Sequence, residues 1–402
     1  MRIAVSLLLA AMLAIPASAA TDDEVSAADR LFHERMMVLD THLDTPMRFD
    51  DGAWDFAERH RYDWDLSQVD LPRMEQGGLD GGAFVIYTPQ GELTAQGYAM
   101  ARDAALLRAA SIHRVIGENR DRMGLALTAA DAERLHSDGR RIAFISMENS
   151  WPLGEDLSLL TTFQRLGVRI AGPVHSRTNQ LADSTTGEAR WQGLSPLGRL
   201  WVAEMNRLGL VIDASHSSDA AFDQMLSTSR APIILTHSGP RAIFQHPRNL
   251  DDERMRRLAR AGGVMFLNSV FLVQHDVSPE REAINSRQEN WATLNPAERQ
   301  TLLRDRAALD ARQPYTTADF DLFMRSLQHA IAVMGVDHVG LGADWDGGGG
   351  VIGMEDVSRV PRITARLRRE GYGDADIAKI MGGNFLRVLR EVERRAARDN
   401  RG

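Results

Sequence analysis

Short apolar or β-branched runs recur along the chain, and amphipathic patterns separate them. The runs are MMVLD (36–40), GAFVIY (82–87), RIAFISME (141–148), VRIAGPVH (168–175), GLVIDASH (209–216), APIILTH (231–237), GVMFLN (263–268) and HVGLGAD (338–344). The segments between them repeat apolar residues at helical spacing, as in GYAMARDAALLRAASIHRVI (97–116), LGRLWVAEMNRLG (197–209) and DDERMRRLARAG (251–262). Parallel strands need crossover connections, usually helices, and near-continuous apolar runs suit strands covered on both faces. Eight such units predict an α/β fold, a (β/α)8 barrel of the TIM type. Functional groups of that fold gather at the C-terminal ends of the strands.

Those ends are where the apolar pattern breaks. His42 and Asp44 follow the first run, and Tyr87, Glu148, His175, His216, His237, Asn268 and Asp344 close the others. Alternate residues of a strand share a face, so His42 and Asp44 point the same way, while Asp40 reads as framework. One histidine at a strand end is ordinarily a hydrogen-bonded structural residue. Metal-competent groups at six of eight ends, all on one rim, point instead to a divalent metal site.

Composition narrows the chemistry. The chain has 402 residues, 44% of them hydrophobic and 25% charged, which is ordinary for a globular protein. Its net charge of −8, with no basic stripe carrying interleaved aromatics, argues against a nucleic-acid partner. There is no cysteine, so a metal must be held by histidine and carboxylate. His42, Asp44, Glu148, His216, His237 and Asp344, with His175 beside them, exceed what one catalytic ion takes and suit two that share an activated hydroxide. A carbamylated lysine cannot bridge the pair, because the sole lysine, Lys379, lies beyond the last strand. Glu148, the only acid among the middle strand ends, is then the expected bridge.

The N-terminus, MRIAVSLLLAAMLAIPASAA, has a basic residue, an apolar run and a small-residue ending, and reads as a secretory signal peptide over 1–20. A single barrel domain is expected over 21–402, exported and free of a stable membrane anchor. Segment 269–316 reads as an insertion between the seventh and eighth strands, with a helical pattern at 295–313 that suits a flap or a dimer contact. On its own, Arg248 reads as a surface arginine pairing with Asp251 or Asp252 at a helix start. A related hydrolase of lactones, β-lactams or N-acyl amino acids, or an exported protein that binds metal or peptide without turnover, would share much of this pattern.

With these residues in view, the chain resembles the renal (membrane) dipeptidase family of metallopeptidases within the amidohydrolase-type barrels. The resemblance rests on DTHLDTP (40–46), QVDLPRMEQGGLDGGAFVIYTP (68–89), SMEN (146–149), PVHSRTNQLADS (173–184), VIDASHSS (211–218), ILTHSGPRAI (234–243), HPRNLDD (246–252), HVGLGADWDG (338–347) and MGGNFLRVL (381–389). It implies hydrolysis of dipeptides with two zinc ions per chain. His42 and Asp44 would bind the first ion, His216 and His237 the second, and Glu148 would bridge them. Asp344 would lie at the first ion and move protons, and His175 would polarise the scissile carbonyl. Arg248 would grip the substrate's terminal carboxylate, and Tyr87 would line the same pocket. Where many members have Glu followed by two glycines, this chain has Glu148-Asn149-Ser150, so the loop 149–158 is expected to be shaped differently.

Overall fold

The computed structural model describes residues 25–399. The expected signal peptide, 1–20, lies outside the described residues. Nine strands form one sheet: β1 (Leu39–Leu43), β2 (Gly81–Tyr87), β3 (Met123–Leu125), β4 (Arg141–Glu148), β5 (Val168–Ala171), β6 (Val211–Ile212), β7 (Ile234–Ser238), β8 (Val264–Leu267) and β9 (Val339–Leu341). Every strand pairing is parallel, in the order β6-β5-β4-β2-β1-β9-β8-β7. Those eight run nearly round a barrel, and a lone parallel bridge from Asp213 to Ile234 spans the remaining seam.

Helices Ala95–Glu118, Pro196–Leu208 and Asp252–Arg260 occupy the segments predicted for them. Thr94, Ser195 and Asp251 cap them by accepting from the backbone N–H groups of Gly97, Gly198 and Arg254. Such caps satisfy donors that the first helical turn leaves free.

Several strand limits differ from the expectation. β1 starts at Leu39 and runs on through His42 to Leu43. β5 stops at Ala171, because Pro173 has no N–H to offer a ladder. β6 keeps two residues, since the Asp213 carboxylate takes the Ser215 and Thr236 N–H groups that backbone pairing would otherwise use. β3 was not anticipated. Three residues are too few to show a period, and it only flanks the start of β4.

Alternation along β4 sorts the core into two layers. Ile142 and Phe144 face inward with Phe266 and Ile234, while Ala143, Ile145 and Met147 meet the outer helices. Phe385, from the C-terminal helix Asn384–Asp399, packs edge-on to Phe144 with ring centroids 5.1 Å apart and plugs the N-terminal end of the barrel. The π-helical turn Lys379–Gly383 lies at that same end, with Lys379 paired to Asp337 at 2.9 Å. Helix Ala27–Arg35 docks through His33, which is buried between the Thr364 hydroxyl (2.7 Å) and the Gly77 carbonyl (3.0 Å). Between β8 and β9, helices Pro279–Glu289 and Pro296–Arg312 close around their own apolar group of Ile284, Leu302 and Leu309. No helix among the described residues is long and apolar enough to cross a membrane.

Candidate metal centre

The C-terminal ends of the strands converge on Glu148. Its Oε1 lies 3.0 Å from His216 Nε2, 3.4 Å from His237 Nε2, 3.6 Å from His42 Nε2 and 3.9 Å from His175 Nε2. Asp44 Oδ2 is 3.4 Å from His42 Nε2, and donor atoms of His42, Asp44 and Asp344 lie within 4.8 Å of one another. Two further donor groups, His42–Glu148–His237 and Glu148–His175–His216, meet the same limit. All six residues read as ligands are therefore in one cluster, and His175 sits at its edge, one quarter exposed.

The sequence folds this way because of local backbone and packing features. His216 and Asp344 both adopt left-handed backbone (φ 65° and 67°), which costs a non-glycine residue about 1–3 kcal/mol. The chain turns sharply there and throws both side chains back over the barrel mouth. A Cβ on Gly347 would stand 2.1 Å from Asp44 Oδ2 and 2.3 Å from Asp344 Oδ1, so only glycine leaves those carboxylates room. Asn149, in the first position after Glu148, is also left-handed (φ 66°), a conformation that asparagine tolerates better than most residues. Its Oδ1 accepts from Asn179 Nδ2 at 3.0 Å, a tie that glycine could not make.

Two residues missed by the sequence reading hold the histidines in place. The Thr236 hydroxyl donates to Asp213 Oδ2 at 2.6 Å, and His237 Nδ1 lies 2.9 Å from the same hydroxyl oxygen. With its proton committed to Asp213, that oxygen accepts from Nδ1–H, so His237 Nε2 carries the lone pair facing the cluster. The available signal was a polar Asp and Thr inside otherwise apolar strands. Asp40 acts as framework: its carboxylate accepts from His42 N at 2.9 Å and Ala343 N at 3.0 Å, stitching β1 to the end of β9. Asp183 accepts from the Arg190, Trp191 and Gly193 N–H groups and builds its own loop.

The electrostatics favour cations. Burial pushes the Asp344 carboxyl up to about 8, with Asp44 and Glu148 adding to it. Burial also opposes ionisation of Glu148, but His175, His42 and His216 outweigh it and hold that carboxyl well below its usual range. His216 and His237 are held well below the ordinary histidine value, chiefly by burial, so both are neutral donors. Their Nε2 atoms nevertheless lie 2.9 Å apart, and His42 Nε2 is buried without a hydrogen-bond partner. Lone pairs crowded against one another and against carboxylates suit shared divalent cations.

Arg248 is not the surface arginine its local sequence suggested. It is buried, Asp251 instead caps the following helix and pairs with Arg254, and no carboxylate lies within ion-pair distance of Arg248 among the described residues. The guanidinium stands 5.1 Å over the Phe271 ring, donates to the His237 carbonyl at 3.3 Å, and leaves Nε without a partner. Phe271 is stacked on His246 at 4.6 Å, and His246 Nδ1 accepts the Arg248 backbone N–H. Tyr87 packs its ring edge-on to His175 at 4.9 Å. Asn268 lies under this region, fully buried.

Fold and donor set together define a metal-binding (β/α)8 barrel with its centre at the strand ends. The sequence profile of the membrane dipeptidase family (peptidase family M19) matches residues 26–401, and the chain belongs to that family. It is 33% identical over 336 residues to dipeptidase tcpJ of Claviceps purpurea, covering 82% of this chain and 70% of that protein. Among solved structures, the probable dipeptidase PvdM of Pseudomonas aeruginosa superposes with a TM-score of 0.78 at 29% identity, over 92% of this chain and 98% of that one. A metallopeptidase of Rhodobacter sphaeroides, solved with a phosphinate mimic of the dipeptide L-Ala-D-Ala, gives 0.71 at 27% identity over 89% and 99%.

Proposed function

We propose that this metallopeptidase hydrolyses dipeptides, L,D pairs among them, with two zinc ions at the centre described above. The observation that carries the reading is Glu148, one carboxylate oxygen ringed by four histidine nitrogens at 3.0–3.9 Å. His42 and Asp44 would hold one ion, His216 and His237 the other, and Glu148 both, with Asp344 beside the first. Ions bound there supply a water activated as nucleophile at neutral pH and charge to stabilise the oxyanion.

The protein's own groups do the rest. Arg248, buried and without a carboxylate partner, is free to pair with the substrate's terminal carboxylate, which longer peptides would not present at that distance. His175, at the open edge of the cluster, is placed to donate a hydrogen bond to the scissile carbonyl oxygen. Asp344 accepts the proton lost by the attacking water and returns it to the leaving amine nitrogen. Tyr87 walls the pocket beside His175. The Rhodobacter enzyme's ligand, a mimic of an L,D dipeptide, supports including D residues at the second position. The N-terminal sequence supports export, and fractionation of producing cells should place the shortened chain outside the cytoplasm.

The test of the centre is metal analysis with an activity panel. Purified protein never exposed to chelator should carry close to two zinc ions per chain, and a chelator should abolish hydrolysis of L,L and L,D dipeptides. Turnover that survives complete metal removal would overturn the reading.

A further inference from the structure

Asp344 is not the only acid on its turn. Asp346, two residues on, has its side chain buried, with 1% exposed, yet it stands outside the three donor groups of the metal centre. Its backbone is left-handed (φ 64°), as that of Asp344 is (φ 67°), so one short turn carries that strain twice. Such strain persists only where the surroundings fix it, and those surroundings include the carrier of a second ligand.

The Asp346 carboxylate reaches across to the segment after β1. Thr45, next to Asp44, donates its hydroxyl to Asp346 Oδ2 at 2.6 Å. Oδ1 accepts from Gln68 N at 2.7 Å and has Arg48 Nε at 3.6 Å. Gln68 returns the contact: its Oε1 accepts from Asp346 N at 2.8 Å, and its Nε2 donates to the Gly349 and Glu355 carbonyls at 2.7 and 3.0 Å. Asp44 N donates to the Trp345 carbonyl at 2.9 Å. The segment that bears Asp44 and the turn that bears Asp344 are thus tied together at Thr45, Gln68 and Trp345. None of these ties uses an oxygen of the two ligand carboxylates, which stay available to a cation.

We infer that Asp346 is a positioning residue for the first ion, setting the spacing of Asp44 and Asp344 so that both reach one cation. The inference rests on the two-ion reading given above. His237, on the second ion, is oriented by Thr236 and Asp213 instead, so that ion does not depend on Asp346. Groups that orient a ligand in this way typically change metal affinity about 10–100-fold.

The experiment compares the full mature protein with Asp346→Asn and Thr45→Val. Asparagine keeps the size and tolerates left-handed backbone, but it offers one accepting oxygen where the carboxylate offers two. Thr45→Val removes the hydroxyl bond alone and carries the test if Asp346→Asn does not fold. Zinc content is measured after equilibration with graded chelator, and crystal structures of the partly stripped proteins show which ion remains. The first ion should be released at about 10–100-fold lower chelator strength in Asp346→Asn, and less early in Thr45→Val, with the second ion unchanged. A group that only supports the fold would loosen both ions together or neither, and either result, in a parent that holds two ions, overturns the positioning role. A parent that holds fewer than two ions overturns the two-ion reading itself and the inference with it.

Discussion

Glu148 shares one charge among four histidines, so its replacement should be felt on both sides of the centre. Glu148→Gln keeps the shape and removes the charge, leaving two cations to repel at short range. Changing groups that merely support a ligand typically costs 10–100-fold, so loss of this donor should exceed about a hundredfold in activity, with zinc content reduced at both positions. A variant that keeps two ions and near-parental turnover would remove Glu148 from the bridge. Arg248 calls for a different readout. Arg248→Met should leave the metals in place and raise KM for dipeptides, because a buried charge pair loses one member, at a cost of about 2–5 kcal/mol. Dipeptide amides lack the carboxylate and should be poor substrates that lose far less. The ratio of free-acid to amide hydrolysis, compared between parent and variant, decides whether Arg248 reads that group.

At the scale of elements, the seam between β6 and β7 is held more by side chains than by backbone. One bridge joins the strands, and the Asp213 carboxylate supplies two further bonds across the seam, from Thr236 N and the Thr236 hydroxyl, while also accepting from Ser215 N on its own side. The same hydroxyl orients His237, so Thr236→Val should weaken zinc binding about 10–100-fold while strand pairing through Thr236 N persists. Competition with a graded chelator, beside an unchanged circular-dichroism spectrum, would measure it. This seam also marks how far the sequence could be read. The eight barrel strands and the histidines and acids at their ends stood out, because buried parallel strands are continuous apolar runs and their polar termini break the pattern. Asp213 and Thr236 did not, since a polar residue within a strand looks the same whether it packs, caps or orients a neighbour. Arg248 was misjudged from local sequence alone, because nothing in HPRNLDD shows that Asp251 turns away to cap its own helix. β3 was missed for its brevity.

Across the whole molecule, acid sensitivity should trace in part to His33, far from the metals. Burial holds His33 at about 4 rather than 6.5, so the folded protein binds fewer protons than the unfolded chain between those values. Stability from this group is complete above about pH 6.5 and is lost as pH falls toward 4, by about 3 kcal/mol in all. Denaturation midpoints measured across that window should fall less steeply in His33→Gln than in the parent, and equal slopes would show that the clamp between the first helix and Thr364 does not titrate. The lone lysine has a consequence of a more practical kind. Apart from the chain's α-amine, Lys379 is the only aliphatic amine available to acylating reagents, and it stands at the end of the barrel that Phe385 plugs, opposite the mouth. An amine-reactive bead or sensor chip would therefore capture the protein largely by its base, with the substrate entrance facing the liquid.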